Sequence, residues 1–317
     1  MTPDFNIEVD GSPILEASRV ISLRVNDRSG DMSDALEVSF NDFDGRLEKP
    51  RTGAKLTVYL GFSGDLHEFG TYIADDCEMS KDRLSISATG FNKSSKLKTV
   101  GCYSYGLMVG EAIEKLASRN GLSLHIHEEI KNTMFDKLIT QNNESDLHFL
   151  TRILRKSEGF FKIESDRLMV FKAGSAETVS GKALPEIKVT PESCDNWRVR
   201  FSLREDYKSC EAIYLDVDSG ATKKISSGKG EPVKRIQVRY GSRSEAEKEA
   251  SSTLSNLSRS NTKFSFLSSG NPLIRANTLL DVEGFKPDID GKYVTEEVTH
   301  EVSDGGYKTS VSAVIKL

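Results

Sequence analysis

The chain has 317 residues, with 43 Lys and Arg against 48 Asp and Glu, for a formal charge of −5; 37 % of residues are hydrophobic and 29 % charged. That length suggests about two domains, or three small ones, and the balance is too apolar for a disordered chain. The acidic excess argues against a general nucleic-acid binder, although a local basic patch is compatible with it. The longest apolar runs, such as Leu168–Phe171, have four residues, against the roughly 18 to 20 that span a bilayer. Asp4, Glu8 and Asp10 stand where a signal peptide needs a basic start and an apolar stretch. Four cysteines (Cys77, Cys102, Cys194 and Cys210) lie far apart without a C-x-x-C, which predicts free thiols and synthesis in a reducing cytosol.

The first hundred residues alternate with period two. Ile21, Leu23 and Val25 are followed by Leu36, Val38 and Phe40, then by Leu56–Leu60 and Leu84–Ala88. Such strands bury one face and wet the other, as in antiparallel sheets. Turn signals separate them at Asp44-Gly45, Arg51-Thr52-Gly53 and Ser63-Gly64-Asp65. Near residue 105 the period changes: Val109, Ala112, Ile113, Leu116 and Ala117 predict a helix stopped by Asn120-Gly121. Asn143-Glu144-Ser145-Asp146 predicts a capped, dipole-matched start for a second helix with Leu147, Leu150 and Leu154 on its buried stripe, ending at Gly159. Strands at 160–163 and 168–171 follow, joined by a tight turn at Ser165-Asp166.

A Gly/Ser/Ala/Thr stretch over 173–183 reads as a linker or a long exposed loop. Strands are then expected at 197–203, 212–218, 236–240, 278–282, 293–302 and 307–315. One helix interrupts them, with capping-box spacing at Ser242–Glu245 and a stripe of Ala246, Ala250, Leu254 and Leu257. No short-period repeat is evident. The expected fold is mainly β with α+β, divided as 1–97, 98–185 and 186–317.

Chemistry is sparse. There is no G-x-S-x-G and no H-E-x-x-H, and Gly228-Lys229-Gly230 is neither a P-loop nor a dinucleotide fingerprint. His125-Ile126-His127 places two imidazoles at strand spacing, but only Glu128 and Glu129 stand near and no third ligand completes a metal site. Asp216-Val217-Asp218 and Asp288-Ile289-Asp290-Gly291 lack the further ligands of a calcium loop. Asp75-Asp76 reads as a solvated strand end rather than a carboxylate dyad. Lys93–Lys98 reads as a solvated basic connector, and Lys223-Lys224 with 229–235 as a mobile basic loop offering a docking surface to an acidic partner. No residue is assigned as catalytic, cofactor-binding or metal-binding.

Three runs carry a resemblance. The first is Asp42, Pro50, Gly53, Leu56, Val58, Gly61 and Gly70–Asp75; the second is Gln141–Leu150 followed by Gly159-Phe160-Phe161; the third is Tyr293–His300 with Gly305–Ser310. In this order they resemble the phage late control gene D protein family. The resemblance implies a baseplate hub of a contractile phage tail, related to the hub region of type VI secretion spike proteins. It implies two tube-like antiparallel β-barrel domains separated by the small α+β domain, the second barrel with one helix. It also implies a homotrimer that joins a sixfold tail tube to a threefold central spike, starts tube assembly, and meets tape-measure and other baseplate proteins. The spike is then expected to be a separate protein. The implied location is the virion tail baseplate after assembly in the host cytoplasm, with no enzymatic activity, cofactor, sequence-specific nucleic acid or stable membrane association. The alternatives are a tail-associated cell-wall hydrolase using Glu144 or Asp146, and a host-surface carbohydrate-binding protein.

Overall fold

The computed structural model describes every residue except 1, 15–16, 30–33, 91–95, 165–166, 176, 178–179, 183–185, 203–206, 218 and 317. The turn expected at Ser165-Asp166, part of the 173–183 stretch, the 93–95 part of the basic connector and Asp218 therefore lie outside the described residues.

Strands dominate. The first hundred residues form β1 (Pro3–Val9), β2 (Ser12–Pro13), β3 (Val20–Arg28), β4 (Ala35–Asn41), β5 (Lys55–Phe62), β6 (Asp65–Met79) and β7 (Arg83–Thr89). The middle forms β8 (Val100–Ser104), α1 (Val109–Asn120), β9 (Ser123–Ile126), α2 (Glu128–Lys131), β10 (Thr140–Ser145), α3 (Asp146–Lys156), β11 (Gly159–Glu164) and β12 (Arg167–Lys172). The rest forms β13 (Glu186–Val189), β14 (Asn196–Phe201), β15 (Ser209–Leu215), β16 (Thr222–Gly228), β17 (Val233–Tyr240), α4 (Arg243–Ser260), β18 (Thr262–Ser269), β19 (Leu279–Val282), β20 (Gly291–Ser303) and β21 (Gly306–Ile315). The two predicted helices of the middle region stand where their periodicity placed them. Gly121 closes α1 in the left-handed conformation (φ 70°) that glycine adopts at least cost. Phe149, Leu150, Ile153 and Leu154 of α3 are fully buried with Ile113 and Leu116 of α1, each side chain contributing about 1.5–3 kcal/mol of transfer free energy.

A single sheet of 13 strands runs through both ends of the chain, in the order β14-β18-β21-β20-β3-β4-β7-β6-β5-β1-β2, with β13 and β19 branching from β20. Within it one arrangement occurs twice. The order β3-β4-β7-β6-β5-β1 recurs as β14-β18-β21-β20-β19-β13, each strand matched to its counterpart in chain order. A bulge falls at the same place in both sets, between Ala74 and Asp76 of β6 and between Thr295 and Glu297 of β20. The hydrogen bond from Ala74 N to Ala54 O (2.9 Å) has its counterpart from Thr295 N to Thr278 O (3.0 Å). Gly53 (φ 77°) and Asn277 (φ 68°) occupy the same left-handed position before the matching strands, where Asn is the best-tolerated substitute for Gly. Gly70-Thr71-Tyr72-Ile73-Ala74-Asp75-Asp76 thus corresponds to Gly291-Lys292-Tyr293-Val294-Thr295-Glu296-Glu297, a long-period repeat that the search for short periods does not reach. The sets differ in one pairing: β1–β5 is antiparallel, whereas β13–β19 is parallel.

Two expectations change. The β-rich ends are joined edge to edge rather than separate, and neither six-strand set closes into a barrel through strand pairing among the described residues. The helix expected inside the second barrel belongs elsewhere: α4 lays Ala246 and Ala250 on Cys210, Ala212 and Tyr214 of the small sheet β16-β15-β17, which has its own core. That α+β piece is inserted between β14 and β18, where the first set has only residues 29–34 between β3 and β4. The remaining cores lie in the first set, joined there by Val302 and Tyr307 of β20 and β21, in the middle unit, and in the second set.

Candidate assembly interface

The seam between the two strand sets is the pairing of β3 with β20, antiparallel from Arg28↔Glu297 to Ser22↔Ser303. Period-two alternation gives the seam two faces. On the outer face Arg24 donates to Glu301 (2.8 Å), Arg28 donates to Glu297 (2.8 Å) and Asn26 donates diagonally to Glu297 (3.1 Å). Cross-strand opposite charges of this kind contribute about 0.2–1 kcal/mol each and fix register more than they add stability.

On the inner face the seam buries a polar cluster contributed by three parts of the fold. Asp27 of β3 accepts from Lys162 Nζ of β11 and from Ala276 N (3.0 Å), and Lys162 also reaches Asp34 (3.4 Å). Burial pushes the Asp27 carboxyl up, but the Lys162 ammonium outweighs it and holds the group below its ordinary value. Burial and the neighbouring Asp27 charge instead push Asp34 up to about 6. Arg275 lies over the Phe69 ring (3.3 Å to its centroid) and donates to Glu68 O (2.8 Å). These groups line a cavity of about 240 Å³ between β3, β6, β11 and the 275 turn.

Beside it His300 is fully buried. Its Nε2 lies 2.9 Å from Ile274 O and its Nδ1 2.8 Å from Tyr307 Oη. A carbonyl can only accept, so Nε2 carries the proton and Nδ1 accepts from the Tyr307 hydroxyl. Burial, with the Arg275 charge behind it, holds the imidazole down at about 3, so His300 is neutral across the physiological range.

The motif at 141–150 builds a second polar network, inside the middle unit. Asp146 accepts from Arg119 Nε (2.9 Å), Asn120 (2.7 Å) and Gln141 (2.8 Å), and Arg119 also donates to Tyr105 Oη (2.9 Å) and Gln141 Oε1 (2.8 Å). Burial raises the Asp146 carboxyl, but these donors outweigh it and keep it below its ordinary value. Glu144 is paired with Arg152, whose hydrogen bonds lower it as well. Ser145 is the residue that caps α3, accepting from His148 N (3.2 Å). The two carboxylates named for a hydrolase therefore serve as charged ties, whereas a general acid needs a raised value.

The other singled-out residues stay apart. His125 lies on β9, but the strand ends at Ile126, and His127 turns inward to cap α2 and meet Glu177 (2.9 Å). The two imidazoles therefore do not share a face as the spacing suggested. Asp75 and Asp76 are split by the β6 bulge, with Thr89 bonded to Asp75 (2.6 Å). Asp216 accepts from Ser219 N (2.9 Å) and Lys223 (2.5 Å), and Asp290 from Phe285 N (2.9 Å), both as turn clamps. No cluster of three His, Cys, Asp or Glu able to hold a metal occurs among the described residues, and none of their helices is long and apolar enough to cross a membrane. Most of the region expected as a mobile basic loop is strand: Lys223 and Lys224 lie on β16, Lys234 and Arg235 lie on β17, and Lys224 pairs with Glu211 (2.9 Å), while 229–232 form the turn between the two strands. Sequence reasoning missed Asp27, Lys162, Arg275 and His300. For Asp27 and Lys162 the only signal was a charged residue at an inward-facing strand position; His300 is a polar residue within strand β20 and Arg275 lies in a turn.

Comparison with known proteins agrees with this architecture. The family described as "Phage tail baseplate hub (GPD)" matches residues 107–306. A probable baseplate hub protein of Escherichia phage 186 is 26 % identical over an alignment covering 100 % of this chain and 94 % of the relative. Among solved structures, a 43 kDa tail protein of prophage MuSo2 from Shewanella oneidensis superposes with a TM-score of 0.72 at 14 % identity, covering 99 % of both chains. An E. coli component of the type VI secretion system superposes with a TM-score of 0.60 at 11 % identity, covering 98 % of this chain and 76 % of that one. Those two likenesses concern the fold. The chain belongs to the phage tail baseplate hub (GPD) family.

Proposed function

We propose that this baseplate hub family member is a structural adaptor whose three copies turn threefold symmetry into sixfold. The observation that carries this reading is the doubled strand order within one chain, with the two sets joined by the β3–β20 seam. Two tube-like rolls per chain and three chains give six similar units, which suits a sixfold tail tube on one side and a threefold central spike on the other. The units are residues 1–97, 98–185 and 186–317, a division supported by cores centred in those spans, with Val302 and Tyr307 of the last unit joining the first core and Leu97 of the first joining the middle one. In this role the first and last units build the ring and the α+β unit braces it through Lys162. The partners are a second and third copy, the spike, the tail tube protein, the tape-measure protein and neighbouring baseplate proteins of a contractile tail.

Light scattering on the purified protein, alone and with the spike protein of the same tail, tests the proposal. A trimer in either condition is expected, and a monomer in both would sink it. No clearing is expected in a peptidoglycan zymogram, since Glu144 and Asp146 are engaged by Arg152 and Arg119.

A further inference from the structure

The basic stretch singled out in the sequence takes no part in the β3–β20 seam or in the polar cluster beneath it. Most of it lies on β16-β15-β17, the sheet of the inserted α+β piece. Residues 207–240 hold seven Lys and Arg against four Asp and Glu, in a chain whose net charge is −5. α4 covers one face of that sheet, where it packs on Cys210, Ala212 and Tyr214. Period-two alternation turns Glu211, Ile213 and Leu215 of β15 to the other face. These three are only half-buried, whereas their neighbours beneath α4 are buried.

Strand pairing sets two rows across the open face. Ile213 lies between Lys224 of β16 and Arg239 of β17, and Glu211 lies between Ser226 and Arg235. With strands about 4.8 Å apart, the two cations flanking Ile213 start roughly 10 Å from each other at the backbone. Glu211 faces the cations alone: Lys224 Nζ lies 2.9 Å from its carboxylate and Arg235 Nε 3.7 Å. Lys224 and Arg235 keep 63 % and 69 % of their side chains exposed, and Arg239 is exposed as well. Val238, in the bulge between Arg235 and Arg239, is 59 % exposed. Three cations against one carboxylate leave this face positive around an apolar centre.

Those two properties define what fits. A nucleic acid would set phosphates on the cations, but it would bring them against Glu211 and leave Ile213 and Leu215 uncovered. The rings that could stack on a base, Tyr214 and Tyr240, pack into the core under α4 instead. A protein segment whose carboxylates flank apolar side chains matches both the charge and the apolar strip. We propose that this open face docks an acidic segment of a different tail protein, its apolar side chains over Ile213 and Leu215 and its carboxylates on Lys224, Arg235 and Arg239. The piece is inserted between β14 and β18, and the first strand set has only residues 29–34 at the corresponding place. The face therefore occurs once per chain, and its partner binds one to one with the chain rather than once per strand set.

The test is fluorescence anisotropy on the full chain with a labelled short peptide alternating Glu and Leu. Binding weakened by added salt is expected. Lys224→Glu and Arg239→Glu each turn an attraction into a repulsion and should weaken it about fivefold. A Glu/Ser peptide should bind about tenfold more weakly than the Glu/Leu one, because it leaves the apolar strip uncovered. Lys115→Glu makes the same charge change on an exposed position of α1 and should leave binding unchanged. All three variants should keep the wild-type melting temperature. In assembled tails, Val238→p-benzoylphenylalanine should cross-link on illumination to an acidic segment of another protein. The inference is overturned by no binding of the Glu/Leu peptide, by an equal loss in Lys115→Glu, or by tighter binding of a DNA duplex at the same salt. Cross-links only to DNA or to another copy of this chain overturn it too. A chain that stays monomeric would remove the trimer but not this result, because the anisotropy assay reads the single chain.

Discussion

Lys162 offers the sharpest test of how the three parts of the fold are held together. Its ammonium lies between Asp27 and Asp34, with only 20 % of its side chain exposed and 9 % of that of Asp27. Replacing it by Met keeps the aliphatic volume and leaves the buried Asp27 carboxylate without its ammonium partner. Removing one partner of a buried pair costs about 3–5 kcal/mol. The upper bound has an independent origin, because the carboxyl can take a proton, which at pH 7 costs an ordinary Asp about 4 kcal/mol. Ala276 N still donates to Asp27, so about 3 kcal/mol is expected. For a chain of this length that lowers the melting temperature by roughly 4–5 °C.

The sign of the pH dependence separates this cause from lost packing. In wild type the Asp27 carboxyl is held down, so its contribution is present above pH 4 and disappears as the pH falls below that. In Lys162→Met it is held up, so the deficit is largest at pH 7.5 and shrinks towards pH 5 as the proton is taken from solvent. Calorimetric melts at the two pH values read this directly. Lys263→Met is the comparison: Lys263 and Glu296 are each 45 % exposed, and losing an exposed pair costs less than about 1 kcal/mol. If Lys162→Met costs no more than Lys263→Met, or its deficit is the same at both pH values, Lys162 is not what keeps Asp27 charged.

Other outcomes follow from the same geometry. His300, held neutral down to about pH 3, contributes stability that is complete above pH 6.5 and declines as the pH falls below it, by up to about 1.4 kcal/mol per unit. A His300→Gln variant, followed by urea melts between pH 7 and 5, should lose that part of the slope. Arg119→Lys retains the charge but loses the two-pronged contact with Asp146 and the stack over Tyr103 (3.8 Å). A loss of about 2 kcal/mol is expected in denaturant titration. At Gly270 an added Cβ would lie 2.1 Å from the Tyr307 ring. That ring is buried, so Gly270→Ala should cost more than about 2 kcal/mol in thermal melts, and an unchanged melting temperature would contradict the packing described around His300.

Some of this was legible without coordinates. The α1 and α3 stripes and the Gly121 stop were plain, because a helix is written in neighbours three and four residues apart. Ser145 as a cap and Cys77 to Cys210 as free thiols follow from equally local rules. β16 was not legible: Lys223 and Lys224 look like a solvated loop until Asp216 and Glu211 are placed beside them. β13 and β18 were missed for a related reason, since β-propensity is weak without knowing which faces are covered. The runs Gly70–Asp75 and Tyr293–His300 each stood out in the sequence, yet their kinship emerged only when the bulges at Ala74 and Thr295 fell in the same ladder position.

By itself the sequence determined the longer helices, the strands with a plain period-two alternation, the apolar faces of both, and the family pattern that those segments spell. The tertiary structure decided which edges meet. A strand edge presents the same N–H and C=O groups whatever its side chains, so the pairing of β3 with β20 across the whole chain carries no local mark. The tie between Asp27 and Lys162, 135 residues apart, exists only because that pairing and the docking of β11 bring two buried charges to one place, where neither could remain ionised alone.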